Sequence, residues 1–190
     1  PDASLVFTTS SVGRHGRAFW GAYAVSKFAV EGLVQTLADE LETLDLYLQM
    51  ESLRFDHRFR YEIAVEESLR TSAVVIPPML LQPYLENAIW HGLMHKKDGS
   101  EANLLLKISR ENDRLHCVIE DNGIGRERSK AIKAAKPGNN HKKSMGMRIT
   151  RDRLDLLNRL RNVDARVEIT DLQDETGQAR GTRVELTIPV

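Results

Sequence analysis

Gln82-Pro83-Tyr84-Leu85-Glu86-Asn87-Ala88-Ile89-Trp90-His91-Gly92 is the most informative segment of this chain, and Asp121-Asn122-Gly123-Ile124-Gly125 complements it. The apolar residues of the first segment recur at helical spacing, which predicts a helix with Asn87 and His91 on one face, one turn apart. The second segment follows Leu115–Ile119, a run with the pattern of a strand. Asp121 therefore falls at the end of a strand, with a glycine-containing turn behind it.

These two segments carry side chains that suit a magnesium nucleotide. The amide oxygen of Asn87 is a hard ligand for magnesium, which takes few protein oxygens and keeps water and phosphate as its other ligands. The carboxylate of Asp121 suits a hydrogen bond from an adenine amino group. Together they predict an ATP site. Taken singly, each has a plainer interpretation: Asn87 as a surface amide, His91 as a structural histidine, and residues 121–123 as an ordinary turn.

Four blocks in series resemble the ATP-binding catalytic domain of sensor histidine kinases, in the superfamily shared with gyrase, Hsp90 and MutL. The first block, from Ile76-Pro77-Pro78 through Gln82-Pro83 to Gly92, is similar to the autolysin-sensor type. The others are Asp121 to Arg126, Ser144 to Thr150, and Gly181 to Leu186. Each block alone is weakly specific, whereas their joint order favours this family.

The resemblance implies an α/β fold, an α+β sandwich in which helices cover one face of a mixed sheet. This is the Bergerat-type ATP-binding fold, here with an N-terminal strand–helix appendage. Periodicity predicts compatible elements. They are helices Tyr23 to Glu42 and Leu44 to Phe55, which could run together, a strand at 58–66, a helix at 77–94, strands at 103–110 and 114–121, a helix at 146–161, and strands at 164–171 and 180–189.

The resemblance also implies a role for each matching residue. In the catalytic group, Asn87 coordinates magnesium, Glu86 serves as a base or polariser, and His91 lies beside the phosphates. In the nucleotide-binding group, Asp121 accepts a hydrogen bond from adenine and Thr182 supports it. The remaining members are Gly123 and Gly125, which allow close approach, and the lid residues Lys142, Lys143, Ser144 and Gly146, where a helix N-terminus favours phosphate.

The first residues of the chain resemble a different family. Ser11-Val12-Gly13 and Tyr23-Ala24-Val25-Ser26-Lys27 look like the catalytic segment of a short-chain dehydrogenase. The glycine-rich turn that would hold a dinucleotide is absent from the sequence, which argues against dehydrogenase activity. We therefore predict a composite chain, with a dehydrogenase-like segment at 1–42 and a kinase-like domain at 43–190. The residues leave open whether the join is natural, engineered or an artefact.

Composition excludes several classes of function. The formal net charge is +0, so we expect no general attraction to nucleic acid. The apolar run 73–81 is interrupted by Pro77 and Pro78, and we predict no membrane segment. Cys117 is the single cysteine, which excludes an internal disulfide and favours a small buried side chain. The kinase resemblance implies a cytoplasmic domain of a membrane-anchored bacterial sensor.

The predicted function is transfer of the ATP γ-phosphate to a histidine that this chain does not contain. Pro83 stands where gyrase-type ATPases place a catalytic glutamate, which favours transfer over fast hydrolysis. The implied partners are the phosphoacceptor helix of the parent kinase and a response regulator. The alternatives are a nucleotide-binding module without catalytic activity and, less favoured, a dehydrogenase fragment. An apolar stripe, Phe28, Leu33, Leu37 and Leu41, predicts a homodimer through the N-terminal helix or packing of that helix on its own sheet.

Overall fold

The computed structural model describes residues 35–70, 73–96, 99–134, 150–152, 154, 155, 157–159 and 162–190. Its strands are β1 (Gln35–Thr36), β2 (Phe59–Val65), β3 (Val75–Ile76), β4 (Ala102–Glu111), β5 (Arg114–Asp121), β6 (Arg166–Gln173) and β7 (Ala179–Pro189). Its helices are α1 (Leu37–Arg54), α2 (Glu67–Arg70), α3 (Gln82–Asn87) and α4 (Arg126–Ala134). A π-helical turn (Ala88–Gly92) and a 3-10 turn (Leu93–His95) continue α3. Residues 1–34 and the lid residues 142–146 lie outside the described part.

Five of the described strands form one mixed sheet in the order β2-β4-β5-β7-β6. β2 and β4 run parallel, while the other neighbouring strands run antiparallel. β1 and β3 form a separate antiparallel pair. The predicted mixed α/β sheet is thus confirmed, and its strands lie within two residues of the predicted bounds.

One face of this sheet is buried and the other is open. Along the central strands, alternate residues are buried and their neighbours are exposed or half-buried, the pattern of a sheet with helices on one side. Cys117 lies on the buried face, as predicted, and burial raises its thiol pKa to about 12. The buried face packs in one cluster with residues of α1, α3 and the π-helical turn. The sheet contributes Leu104, Leu106, Ile108, Leu115, Cys117, Ile119, Leu186 and Ile188, and the helical elements contribute Leu37, Leu44, Leu48, Tyr84, Leu85 and Ile89.

Helix α1 begins at Leu37, so the predicted helix from Tyr23 to Glu42 is wrong at residues 35 and 36, which are extended. The reason is a capping box: the Thr36 hydroxyl accepts the Asp39 N–H, and the Asp39 carboxylate accepts the Thr36 N–H. From there α1 continues without interruption to Arg54. The predicted boundary between residues 42 and 43 therefore falls inside a helix.

The apolar stripe predicted for association is partly used within the chain. Leu37 is fully buried, and Leu41 packs half-buried against the core. Packing on the chain's own core therefore accounts for these two residues, while the homodimer through the N-terminal helix stays a prediction. Phe28 and Leu33 lie outside the described residues. Within the described part, no helix is both long and apolar enough to cross a membrane.

The predicted helix 77–94 is shorter than expected, because residues 77–81 are not helical. Pro77 and Pro78 disfavour helical backbone in the residues that precede them. Met79 then adopts a left-handed conformation with φ of 54°. The helical stretch from Gln82 to Gly92, which we call the site helix, carries the residues singled out from the sequence.

We expect Thr36→Ala to lower the free energy of unfolding by about 1 kcal/mol, because the capping box at the start of α1 is lost. Thr43→Ala is the matched control. The Thr43 hydroxyl bonds to the Asp39 carbonyl within the helix, so its removal should change stability by less than about 0.5 kcal/mol. Urea denaturation of the three proteins measures both values. Equal losses in the two variants would show that the capping box contributes nothing specific.

Candidate functional site

A cavity of about 390 Å³ opens between the site helix, the ends of β5 and β7, strand β6 and helix α4. It brings together side chains that are far apart in the sequence. Its size is within the range typical of small-molecule sites. It is lined by Tyr84, Asn87, Ala88, His91, Gly92, Ile119, Asp121, Gly125, Arg126, Ser129, Lys130, Ile169, Thr182 and Val184.

Asn87 and His91 both line this cavity, so the site helix presents them on one face as the spacing predicts. The Asn87 amide nitrogen donates to the Pro83 carbonyl at 2.6 Å, one turn earlier. This bond orients the amide and leaves its Oδ1 oxygen without a hydrogen-bond partner among the described residues. A single amide oxygen beside a cavity fits magnesium, which binds through one or two protein oxygens and keeps its waters. The described residues hold no cluster of three His, Cys, Asp or Glu side chains that could bind a metal.

Glu86 points away from this cavity, although it is adjacent to Asn87 in sequence. Its carboxylate accepts a hydrogen bond from Gln82 at 2.9 Å and is absent from the cavity lining. Burial raises the pKa of Tyr47 on α1, and the carboxylates of Glu51 and Glu86 raise it further. The predicted role of Glu86 as a base stays a prediction, which the ligand-free geometry does not favour.

Asp121 is the buried charged group of the cavity, with 4% of its surface exposed. Its Oδ1 oxygen accepts the Gly123 N–H at 2.8 Å. Burial raises the pKa of this carboxyl to about 7, while the hydrogen bond from Gly123 acts in the opposite direction. Asn122 fixes the turn that follows, because its side chain bonds to the Asn103 N–H and the Glu101 carbonyl at the start of β4.

Glycines leave the space that the Asp121 carboxylate occupies. A Cβ atom at position 92 would lie 2.6 Å from Asp121 Oδ1, and one at position 123 would lie 2.7 Å from the same oxygen. At Gly181, where φ is +136°, a Cβ atom would lie 1.9 Å from the Asp121 carbonyl oxygen. A Cβ atom at position 123 would also lie 2.4 Å from the Gly92 carbonyl carbon, so Gly123 allows close approach to the site helix. Its role in admitting a ligand stays a prediction.

Two further predicted residues line the cavity, Gly125 and Thr182. Thr182 pairs with Asp121 in the β5–β7 ladder, and its backbone N–H is close enough to the Asp121 carboxylate to oppose the rise of the carboxyl pKa. Gly125 has φ of +75° and lies against Ala179 at the start of β7. The structure therefore gathers Asn87, His91, Asp121, Gly125 and Thr182 around one cavity. The predicted lid residues Lys142, Lys143, Ser144 and Gly146 lie outside the described residues.

Sequence reasoning missed the residues of α4 and β6. Arg126, Ser129 and Lys130 line the cavity from α4, one turn apart, and the Arg126 guanidinium pairs with both carboxylate oxygens of Asp171 at 2.7 Å. Arg126 and Lys130 are four residues apart directly after the glycine turn, and this spacing could have identified them as neighbours on one face of a helix. Ile169 pairs with Val184 across β6 and β7, and alternation along both strands could have identified them.

Two parts of the chain are similar to proteins of two unrelated families. The short chain dehydrogenase family matches residues 1–49, which reaches into α1 and past the predicted boundary at residue 42. The Uncharacterized oxidoreductase YciK of Escherichia coli (strain K12) is 74% identical over 39 residues, 20% of this chain and 16% of that protein.

The Sensor histidine kinase BtsS of Escherichia coli (strain K12) is 40% identical over 87 residues, 46% of this chain and 15% of that protein. The similarity is to sensor histidine kinases. The Sensor histidine kinase/phosphatase LytS of Staphylococcus aureus (strain MRSA252) is 34% identical over 95 residues, 50% of this chain and 16% of that protein. Both resemblances seen in the sequence are thereby confirmed. The chain spans 15–16% of the length of these two histidine kinases.

We expect Asp121→Asn to stabilise the ligand-free protein more at pH 8 than at pH 5. The folded state holds the carboxyl pKa at about 7, above its ordinary value of 3.8. The folded state therefore binds more protons between these values, and the free energy of unfolding falls as pH rises through this window. The amide variant lacks this loss, so its relative gain should grow by about 2.5 kcal/mol from pH 5 to pH 8.

Urea denaturation of the wild type and the variant at both pH values measures this gain. Asp113→Asn is the control, because Asp113 is exposed and remote from the cavity. A gain from Asp121→Asn that is the same at both pH values would contradict the raised pKa.

Proposed function

We propose that this chain contains the ATP-binding catalytic domain of a two-component sensor histidine kinase. The proposal rests on one observation: a single cavity gathers Asn87, His91, Asp121 and Thr182 from three separate elements. Half of the chain is similar to sensor histidine kinases, which supports the same assignment. In this proposal the domain transfers the γ-phosphate of ATP to a histidine supplied by another segment.

The adenine base would lie at the inner end of the cavity. Asp121 is the buried acceptor there, and the adenine 6-amino group is a matching donor. The walls beside it are apolar, because Ile119, Ile169 and Val184 line the cavity. A buried carboxylate that gains a hydrogen-bond donor is stabilised relative to the ligand-free state, in which burial penalises its charge. The site therefore favours a base that presents a donor to Asp121.

The phosphates would lie towards Asn87 and His91. Asn87 Oδ1 would hold the magnesium ion, whose chemistry is to bridge and neutralise phosphate oxygens. His91 lies one turn beyond Asn87 on the same cavity wall. Lys130 also lines the cavity from α4, where its ammonium pairs with the Glu127 carboxylate at 2.6 Å. The residues of the chain thus bind and orient the nucleotide. The lid residues predicted from the sequence would complete the phosphate end.

The partners follow from the proposed reaction. We expect no nucleic-acid partner. The expected partners are a phosphoacceptor helix of the parent kinase and a response regulator. A cytoplasmic location follows from the same assignment. The second candidate is a nucleotide-binding module without transferase activity. The position of Glu86 favours it, since the predicted base does not line the cavity.

We expect the chain to bind a fluorescent ATP analogue with magnesium, and Asp121→Asn to weaken this binding at pH 8 by about 1.5–3 kcal/mol, because a charge-assisted hydrogen bond to adenine is lost. Fluorescence titration measures both dissociation constants. Asp113→Asn should bind like the wild type. Equal affinities for wild type and Asp121→Asn would exclude Asp121 as the adenine acceptor.

We also expect the chain alone to acquire no phosphohistidine. The autolysin-sensor type carries its acceptor histidine in a Pro-His-Phe-Leu-Phe-Asn-like segment, and this sequence contains none. Incubation with radiolabelled ATP and magnesium should leave no acid-labile, base-stable label. Label on any of the six histidines would contradict the assignment of the acceptor to another segment.

A further inference from the structure

We propose that helix α1 positions the magnesium and phosphate end of the nucleotide site by holding the site helix at both ends, with Glu40 and Arg54 as the positioning residues. This inference rests on the proposed function, and it concerns residues outside the cavity lining. It assigns α1 a role beyond core packing: a displacement of α1 relative to the sheet would move Asn87 and His91.

The first contact lies at the beginning of the site helix. Glu40 is buried, and its two carboxylate oxygens accept the N–H groups of Met79 at 2.8 Å and Leu81 at 3.2 Å. Leu81 is the N-cap residue of the site helix and makes no side-chain capping bond of its own. The capping group is therefore supplied by α1. A carboxylate at this end also interacts favourably with the helix dipole.

The second contact lies near the end of the site helix. The Arg54 guanidinium is 4.7 Å from the centre of the Trp90 ring, within the range of a cation–π interaction. The Phe55 ring meets Trp90 edge to face, with ring centres 5.0 Å apart and an interplanar angle of 76°. Trp90 of the site helix thus receives two contacts, one from Arg54 at the C-terminal end of α1 and one from Phe55, the residue after it.

Arg54 is itself held in place by its own helix. Its guanidinium lies 3.5 Å from Glu51 Oε1, one turn earlier. The other carboxylate oxygen, Glu51 Oε2, is buried and has no hydrogen-bond partner in the part of the chain that the structure describes. The cation that faces this carboxylate is therefore the one that stacks on Trp90. Moving Arg54 would leave Glu51 without compensation, so the arrangement resists displacement.

Trp90 connects these contacts to the cavity. It lies between Asn87 and His91 in the chain, and it faces α1 while they face the cavity. A close-packed helix transmits displacement of one side to the other, because its interior does not deform freely. The backbone around Trp90 is a π-helical turn, and such turns occur often at functional sites. The adenine end depends on a different support, since Asp121 is carried by β5.

The test compares Arg54→Gln with the wild type in two measurements. In the ligand-free protein, hydrogen exchange should become faster in residues 82–92 and stay unchanged in residues 104–119 of the central sheet. In titrations, affinity for the magnesium–ATP analogue should fall about fivefold. Affinity for ADP without magnesium should stay within about twofold. Arg60→Gln is the matched control, because it removes an exposed ion pair with Glu101 on the edge strand β2.

Two more variants test the route of the effect. Arg54→Lys keeps the charge and loses the planar stack, so it should behave like Arg54→Gln if stacking on Trp90 is what matters. Trp90→Phe combined with Arg54→Gln should weaken the magnesium–ATP analogue no more than the stronger single change, because both act through one contact. Glu40→Gln replaces one acceptor oxygen with an amide and should speed exchange in residues 79–85.

The possible results separate this inference from the proposed function. Unchanged exchange in residues 82–92 of Arg54→Gln would overturn the inference, as would equal losses of affinity for the magnesium and magnesium-free nucleotides. Faster exchange throughout the sheet would also overturn it, because Arg54 would then be a general stabilising residue. A wild type that binds no nucleotide would overturn the proposed function, while exchange in the ligand-free variants would still decide whether α1 positions the site helix.

Discussion

The burial of one carboxylate, that of Asp121, is the constraint on which the site depends. Its oxygens occupy space that exists only because Gly92 and Gly123 lack side chains. Burial of a carboxylate costs free energy unless donors surround it, and here the Gly123 and Thr182 N–H groups reduce this cost only in part. The uncompensated part of this cost raises the carboxyl pKa to about 7, so the protonated form is favoured below that pH. A ligand that donates a hydrogen bond to this carboxylate would stabilise its charged form, and this stabilisation would favour binding.

Two parts of the fold hold the residues around Asp121 in place. The central strands place Asp121 at one end of the sheet, opposite Thr182 of β7. Helix α1 and the core beneath it hold the site helix against the same end, through buried residues of both helices. The Asp121 end of the cavity and the end at Asn87 and His91 therefore rest on different elements, strands β5 and β7 for the first and the site helix with α1 for the second.

The two similarities along the chain meet inside a single helix. The dehydrogenase match extends to residue 49, yet Leu37, Glu40, Leu44 and Leu48 of α1 belong to the core beneath the sheet or bond to the site helix loop. An amphipathic helix with leucines at core spacing satisfies both families, because helix packing requires only apolar residues on one face. The capping box at Thr36 is the local signal that places the start of this helix. The division into two segments at residues 42 and 43 stays a prediction.

The local sequence pattern was sufficient to predict the main helices and strands. It was also sufficient to predict which side chains share one helical face or lie at the end of a strand. The strand alternation, the placing of Asn87 and His91 on one face, and the position of Asp121 all follow from periods of 3.6 and 2.0, which any short segment reveals. Other features arise from contacts between distant segments. Glu40 accepts the N–H of Leu81, 41 residues later, and Arg126 of α4 pairs with Asp171 of β6. No period encodes such contacts, because each depends on which side chains the completed sheet and its helices bring within a few ångströms of one another.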